Sequence, residues 1–282
     1  LLAQDDIDGV LALDEAQGLD YHVRLITHPD EIDQLPGSIY HAVPLDGTLR
    51  LLEENKGRFV IVGIPCQLEG VYNYIFNQAP ELAERIAFTI GLLCGWLYSH
   101  HAVEAISKFK KIDASAITQI SYRGGGPIGK LQISTEEKTT RIGRRVDFGY
   151  QVAFDRSFNA PRCHLCINHA NFLADLVVGD AWLPSTVTTR TGVSMVTCRT
   201  PEASDLIDAL SESGAIVVAE ATVDELTESQ THRVTFGDFA YAYADHLDEI
   251  GIFRPKMVGP NRELTDLSSP AEASAFHKEL TR

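Results

Sequence analysis

Short runs of apolar residues, each bounded by polar residues or glycine, recur along the first half of the chain. The runs at residues 9–13, 58–64 and 86–93 have the length and composition of strands buried within a parallel sheet. Between the first two runs, Asp46 is placed to cap a helix over residues 48–55. This order of strand, helix and strand predicts an α/β sheet.

The same pattern continues after residue 64 and changes character only in the middle of the chain. Residues 68–76, 102–109 and 201–213 have apolar positions at helical spacing, and 174–178, 194–198 and 216–219 resemble strands. The middle segments, in contrast, are short, alternate between polar and apolar residues and are joined by glycines, which is typical of antiparallel strands. They cover residues 116–123, 130–135 and 140–142.

We therefore predict a mixed, largely parallel α/β sheet with flanking helices and an inserted antiparallel segment. The predicted division places an N-terminal α/β part at residues 1–80 and a C-terminal domain at 81–235. Residues 236–282 are rich in aromatics and proline without clear period, and we expect them to form a wrapping tail.

Composition and charge exclude several classes of protein. The 282 residues carry 39 acidic and 24 basic side chains, a formal net charge of −15 that repels a nucleic-acid backbone. The adjacent Arg144 and Arg145 are interpreted as cations on a solvated face. No apolar run approaches the roughly 20 residues of a membrane-spanning helix. Because the chain begins with Leu in the sequence LLAQDDIDG, we expect it to be a piece of something longer.

The five cysteines carry the candidate chemistry. An odd number of cysteines over a long chain argues against a disulfide framework and favours metal-binding or reactive thiols in a reducing, cytoplasmic compartment. Cys66 and Cys94 each follow a predicted strand, and ligands collect at the carboxyl ends of such strands. Cys163 and Cys166 form a CxxC turn that lets two sulfurs reach one centre. Four thiolates are the usual complement of a [4Fe-4S] cluster, and the same set also suits tetrahedral zinc.

Two other interpretations of cysteine residues stay open. Cys163, Cys166 and His169 would make a zinc trio, as part of a structural rather than a redox site. Cys198, in the strand sequence MVTCR, has no thiol or glycine turn nearby and is expected to serve packing alone.

Taken together, the cysteine segments resemble those of the coenzyme F420 hydrogenase/dehydrogenase beta-subunit family. The family motifs GxPCQ, GLxCG and a CxxC leading into LADxxVGD occur here, in that order, as GIPCQLEG, GLLCG and RCHLCINHANFLADLVVGDAW. Further matches are IDGVLAL, GSIYHAV, ISYRGGGPIG and a closing stretch that runs from Gly192 through Thr200 (GVSMVTCRT) to Gln230. The resemblance covers about residues 7–232, beginning after the glycine-rich segment that family members carry upstream.

This resemblance implies an oxidoreductase that holds FAD beside one [4Fe-4S] cluster and exchanges electrons with a hydride carrier, often F420, and with a redox partner protein or small-molecule substrate. Cys66, Cys94, Cys163 and Cys166 are the implied cluster ligands. The matching segments also supply the expected neighbours of flavin or substrate, which are Ser38, Tyr40, Gln67, Arg123 and Asp180. Arg123 pairing with a surface carboxylate and Asp180 capping a turn are the competing interpretations of those two residues.

Residues 124–130 (GGGPIGK) spell most of a phosphate-binding P-loop, but Leu131 stands where a Mg²⁺-binding Ser or Thr is required, and a strand rather than a helix is predicted next. We therefore set nucleotide hydrolysis aside. Three hypotheses follow from the sequence: an iron–sulfur flavoprotein oxidoreductase, a zinc-stabilised interaction protein without enzymatic activity, and a remnant that keeps the cluster without flavin.

Overall fold

The computed structural model describes residues 1–4, 6–44, 46–125, 129–144, 146–186, 188–189, 191–255 and 278. Its strands are β1 (Gly9–Gln17), β2 (Asp20–Ile26), β3 (Phe59–Gly63), β4 (Ile86–Leu92), β5 (Gln119–Gly124), β6 (Lys130–Ser134), β7 (Thr139–Gly143), β8 (Leu176–Asp180) and β9 (Ser194–Cys198). Its helices are α1 (Asp46–Glu54), α2 (Pro65–Gln78), α3 (His100–Lys110), α4 (Phe148–Ala153), α5 (Pro201–Glu212) and α6 (Val223–Glu249).

Six strands form one sheet in the order β2-β1-β3-β4-β8-β9. The four central strands β1, β3, β4 and β8 are parallel, whereas β2 and β9 pair antiparallel at the two edges. Apolar residues alternate between two buried faces: Phe59 and Ile61 pack against α1 and α2, while Val60 packs toward α5 through Ala203. Burial on both faces explains why these strands are continuous apolar runs. The predicted sheet is confirmed.

The three strands β5, β6 and β7 form a separate antiparallel sheet, in that order. Leu131 and Ile133 are fully buried against α3 and α4, with Tyr122 in the same core. The inserted antiparallel segment predicted from the sequence is therefore confirmed. Lys130 begins a strand instead of a helix, which agrees with the exclusion of a P-loop; residues 126–128 of that motif lie outside the described part of the chain.

His41 joins the two sheets through hydrogen bonds on both ring nitrogens. Its Nε2 lies 3.0 Å from the carbonyl oxygen of Leu19, between β1 and β2, and its Nδ1 lies 2.6 Å from the hydroxyl of Tyr122 in β5. A carbonyl only accepts, so Nε2 carries the hydrogen and the Tyr122 hydroxyl donates to Nδ1. Burial lowers the pKa of His41 to about 4, so the ring is neutral at pH 7.

Several elements were not predicted. The hairpin strand β2 and the short helix α4 had no assignment, and the strand predicted at 216–219 is wrong. Residues 217–220 have no regular structure, and Val217 is 98% exposed. An apolar run forms a strand only where a neighbouring strand pairs with it, and this run has none among the described residues.

The predicted tail begins inside α6, a helix that was not predicted and that continues to Glu249. Its last half buries Ala240, Tyr241, Ala242 and Tyr243 together, against a segment that includes Leu165. Burial of successive residues removes the polar stripe by which an amphipathic helix is recognised. Residues 256–277 and 279–282 of the predicted tail lie outside the described residues.

The predicted domain division remains a prediction, although the main sheet places strands from both sides of residue 80 next to each other, β3 beside β4. Within the described residues, no helix combines the length and the apolar character required to span a bilayer.

We predict that His41→Phe lowers the free energy of unfolding by about 2–4 kcal/mol, because the hydroxyl of Tyr122 and the carbonyl of Leu19 each lose a buried partner. Stability should also become less dependent on pH. In the wild type, the unfolded chain takes up a proton on His41 below about pH 6.5 and the folded chain only near pH 4, so acidification across that range favours unfolding.

Urea unfolding at pH 7 and pH 5 measures both effects. His101→Phe is the control, since His101 is exposed at the start of α3. An unchanged stability in the His41 variant, or an equal loss between pH 7 and pH 5 in wild type and variant, would contradict the assigned role.

Candidate functional site

A cavity of about 630 Å³ opens at the carboxyl ends of β3 and β4, between the main sheet and the second sheet. Its volume lies within the range of natural small-molecule sites. Its walls are largely apolar, with a few polar and charged groups among them, as in sites for cofactors. The walls comprise residues 12–13, 35–40, 43, 62–64, 67, 92–98, 123, 144, 150, 154, 180 and 182.

The structure brings the five predicted flavin or substrate residues to the walls of this one cavity. Ser38 and Tyr40 approach from the loop before α1, Gln67 from the first turn of α2, Arg123 from β5, and Asp180 from the end of β8. Gln67 also has a structural task, since its side-chain oxygen accepts from the backbone N–H of Ile64 at 2.9 Å. Residues from both sheets therefore converge on a single volume.

Arg123 and Asp180 form a two-pronged ion pair across the gap between the sheets. The guanidinium nitrogens lie 2.5 and 3.1 Å from the two carboxylate oxygens, and the Arg123 side chain is only 19% exposed. The same guanidinium lies over the ring of Trp182 at 5.6 Å. Arg123 thus does pair with a carboxylate, as one interpretation expected, and that carboxylate belongs to Asp180 at the cavity wall.

The amino-terminal part of α6 supports the Asp180 strand end from behind. The side-chain nitrogen of Gln230 donates to the carbonyl oxygen of Asp180 at 2.9 Å, and the Ser229 hydroxyl accepts from the backbone N–H of Trp182 at 3.1 Å. These contacts come from residues about 50 positions away, and no motif or spacing along the chain indicated them. They fix the end of β8, which carries the ion-pair carboxylate.

A second arginine at the cavity, Arg144, was predicted to lie on a solvated face, and that prediction is wrong. Arg144 follows β7 directly and donates to the hydroxyls of Tyr40 at 2.9 Å and Tyr150 at 3.1 Å. Its guanidinium also lies 5.4 Å from the centre of the Tyr40 ring. Burial raises the pKa of Tyr40, so its phenol stays protonated and neutral. One feature of the sequence could have indicated this place at the cavity. Like Arg123, Arg144 lies at or just after the end of a predicted strand. Its neighbour Arg145 lies outside the described residues.

Three of the four predicted ligand cysteines interact electrostatically with one another. Burial is the main cause that raises the pKa of the Cys66, Cys163 and Cys166 thiols. Cys163 adds to the rise at Cys66, Cys66 adds to that at Cys166, and Cys166 adds to that at Cys163. Cys66 lies in the first turn of α2, about 100 residues from the CxxC pair in sequence, so the fold itself makes them neighbours.

Cys94, the fourth predicted ligand, is attached to the same region through its backbone. Its N–H donates to the carbonyl oxygen of His169 at 3.1 Å, and Nδ1 of His169 lies 2.9 Å from the carbonyl oxygen of Cys94. The sulfur of Cys163 accepts from the N–H of Leu97, three residues beyond Cys94, at 3.3 Å. Cys94 and Leu97 also line the cavity, which places the cysteine region against its wall.

Glu69 connects the helix of Cys66 to the CxxC segment. Its two carboxylate oxygens accept from Arg162 at 2.7 Å and from the side-chain amide of Asn168 at 2.8 Å. Among the described residues, no group of three or more His, Cys, Asp or Glu side chains is assembled closely enough to hold a single metal ion. Cys198 is exposed on the edge strand β9, apart from this region, where its thiol contacts the carbonyl of Ala203.

The arrangement defines a class of protein: an α/β protein with grouped thiols next to a cofactor-sized cavity at a sheet edge. Comparison with known proteins gives the family. Residues 56–224 match the family model that describes the C terminus of the beta subunit of coenzyme F420 hydrogenase/dehydrogenase. This match covers more than half of the chain, and the chain belongs to that family.

Two curated relatives come from species of Methanosarcina. The chain is 23% identical over 186 residues to the F subunit of the F(420)H(2) dehydrogenase of Methanosarcina mazei, covering 65% of this chain and 49% of the relative. It is also 23% identical over 172 residues to the beta subunit of the coenzyme F420 hydrogenase of Methanosarcina barkeri, covering 58% of this chain and 55% of that protein. The chain thus spans about half the length of these relatives.

A solved structure shows the same fold. A chain of the F420-reducing [NiFe] hydrogenase complex from Methanosarcina barkeri matches with a TM-score of 0.64 at 17% identity, covering 90% of this chain and 85% of that one. The predicted family and fold class are therefore confirmed.

We predict that, in protein free of metal, Cys198 is alkylated about tenfold faster than Cys66, Cys163 or Cys166, because Cys198 is exposed whereas the other three residues are partly buried. Mass spectrometry of peptides after timed iodoacetamide treatment at pH 7.5 measures the four rates. Faster labelling of Cys66 than of Cys198 would show that the segment around Cys66 is open to solvent.

Proposed function

We propose that the chain is an oxidoreductase subunit in which Cys66, Cys94, Cys163 and Cys166 hold one [4Fe-4S] cluster and the adjacent cavity holds FAD. The observation that carries the proposal is the position of Cys94. This residue belongs to the thiol region and also lines the cavity, together with Ser38, Tyr40, Gln67, Arg123 and Asp180. A ligand in the cavity would therefore lie directly beside the cysteine region.

The two groups make chemical sense as neighbours, because a flavin exchanges two electrons as hydride whereas an iron–sulfur cluster passes one electron at a time. The chain's own residues supply binding and orientation. The apolar walls exclude water, while Arg123 is held in place by its ion pair with Asp180 and lies over the Trp182 ring. Arg144 is oriented by the hydroxyls of Tyr40 and Tyr150, to which it donates. The N–H groups of two guanidinium groups at one cavity suit hydrogen bonds to a ligand that bears phosphate groups, such as FAD.

The names of the relatives point to the hydride carrier. Both curated relatives are named for coenzyme F420. We extend F420, or a similar carrier, to this chain as the substrate that exchanges hydride, with a redox partner protein or small molecule at the other end. Residues 1–80 and 81–235 would then contribute one wall each, since Ser38 to Gln67 come from the first part and Cys94 to Trp182 from the second.

The zinc-stabilised alternative has less support. A tetrahedral zinc ion with bonds of about 2.3 Å gathers its ligands around one point, and the described side chains do not form such a group. In a [4Fe-4S] cluster each cysteine binds a different iron atom, so the sulfurs stand farther apart.

We predict that anaerobically purified or reconstituted protein is brown and contains about four iron and four acid-labile sulfide atoms per chain. Cys66→Ser should lose most of this iron, because one of four thiolate ligands is removed. Cys198→Ser, the matched control on the exposed edge strand, should keep the wild-type iron content. Iron analysis and the dithionite-bleachable visible absorbance measure both.

Equal iron in the two variants would remove Cys66 from the ligand set. A colourless wild-type protein loaded with zinc would replace the proposal by the zinc alternative. Brown protein that releases no flavin on denaturation would support the remnant that keeps a cluster alone.

A second prediction addresses the cavity. Gly37 lines it, and a Cβ atom added there meets no other atom within 4 Å, so Gly37→Trp introduces bulk without a backbone clash. We expect this variant to bind FAD at least about tenfold more weakly, since the indole competes for ligand volume. Fluorescence titration with FAD measures the affinity.

Gly70→Trp is the control, because Gly70 is exposed on α2 and a Cβ atom there also meets open space. Equal FAD affinity in the two variants, with similar melting temperatures, would place the flavin elsewhere.

A further inference from the structure

Asn171 lies completely buried between the ends of two neighbouring parallel strands. Its side-chain nitrogen donates to the carbonyl oxygen of Gly63 at 2.9 Å and to that of Leu92 at 3.3 Å. Gly63 is the last residue of β3 and Leu92 the last of β4. The chain reaches Cys66 three residues after the first carbonyl and Cys94 two residues after the second. One amide group thus holds both strand ends from which these cysteines project.

The position of these two hydrogen bonds matters because the backbone pairing of β3 with β4 ends there. The pairing of β3 with β4 ends at Gly63 opposite Gly91. Beyond it, β3 turns into α2 and β4 continues into an irregular segment. Without backbone pairing, the separation of the two chains must be set by side chains. The two N–H groups of the Asn171 amide connect the two strands just beyond the end of their backbone pairing.

Two uncommon local features serve this contact. Asn171 has a backbone φ of +55°, in the left-handed region that asparagine tolerates better than most residues. A Cβ atom on Gly91 would lie only 2.5 Å from the Asn171 side-chain nitrogen, so only glycine leaves room for the amide. The backbone at 171 and the missing side chain at 91 are therefore matched to each other, although 80 residues separate them.

Asn171 also lies five residues after Cys166, in the segment that carries the CxxC pair. The three cysteine-bearing segments consequently meet at the hydrogen bonds of one side chain. We infer that Asn171 is a positioning residue, which fixes the relative placement of the Cys66, Cys94 and CxxC segments and so pre-forms the ligand set. This inference rests on the proposed function for its use, but its geometry is a property of the chain without metal.

The test compares Asn171→Gly with Thr89→Val. Glycine keeps the left-handed backbone and removes only the amide. Thr89 is equally buried and hydrogen-bonded to Asp175, joining β4 to β8 three residues before Leu92, so its variant loses a buried polar contact away from the cysteine-bearing ends. Both variants should lose a comparable amount of thermal stability. Only the Asn171 variant should loosen the cysteine segments.

In metal-free protein, we expect Asn171→Gly to raise the alkylation rates of Cys66 and Cys94 about tenfold, because local opening no longer has to break two buried hydrogen bonds. Thr89→Val should leave these rates near the wild-type values. In iron-loaded protein, Asn171→Gly should lose iron to a chelator about 10- to 100-fold faster, as for other residues that orient ligands, and the electron paramagnetic resonance spectrum of the reduced protein should broaden.

Equal alkylation rates in Asn171→Gly and Thr89→Val would overturn the inference, whatever metal the protein binds. If the wild type binds no iron but the Asn171 variant alone exposes Cys66 and Cys94, the positioning role stands and the proposed redox function fails. If iron binds and the two variants lose it at the same rate, the proposed function stands and the positioning role fails.

Discussion

The parallel register of the central strands is the constraint on which the rest of this structure depends. Because β1, β3, β4 and β8 run in the same direction, their carboxyl ends lie at one edge of the sheet. Cys66, Cys94 and Asp180 come from three of those ends. The backbone topology alone therefore brings residues that are distant in sequence to the same edge of the sheet.

The second sheet forms the opposite wall of the cavity at that edge. Arg123 and Tyr40 face the main sheet across the cavity, and the Arg123–Asp180 ion pair spans the two sheets. His41 holds the sheets together from the other side, by bonding Leu19 of the first hairpin and Tyr122 of β5 with a neutral ring. The Arg123–Asp180 pair is charged and partly exposed at the cavity wall, whereas the His41 connection is neutral and buried.

The pattern of apolar and polar residues predicted strands and helices correctly where burial follows a simple period along the chain. It failed where burial has no such period. The strands β3 and β4 are apolar runs with clear ends, so their positions were correct to within about two residues. Helix α6 was missed because neighbouring residues such as Tyr241 and Ala242 are both buried, which leaves no polar face to recognise. The strand predicted at 216–219 has the right composition but no partner among the described residues, and pairing is a property of the fold.

By itself, the sequence determined the family, through ordered motifs, and it singled out the four cysteines, at strand ends and in a CxxC turn, that are proposed to bear the chemistry. These are local patterns, and metal-binding motifs of cysteine are recognised from residue type and spacing alone. Only the tertiary structure decided that Arg144 belongs to the cavity, that Gln230 supports the end of β8, and that Asn171 connects the strand ends beside the cysteines. Each of those contacts joins residues at least about 50 positions apart, and such contacts arise from packing, which leaves no regular spacing along the chain.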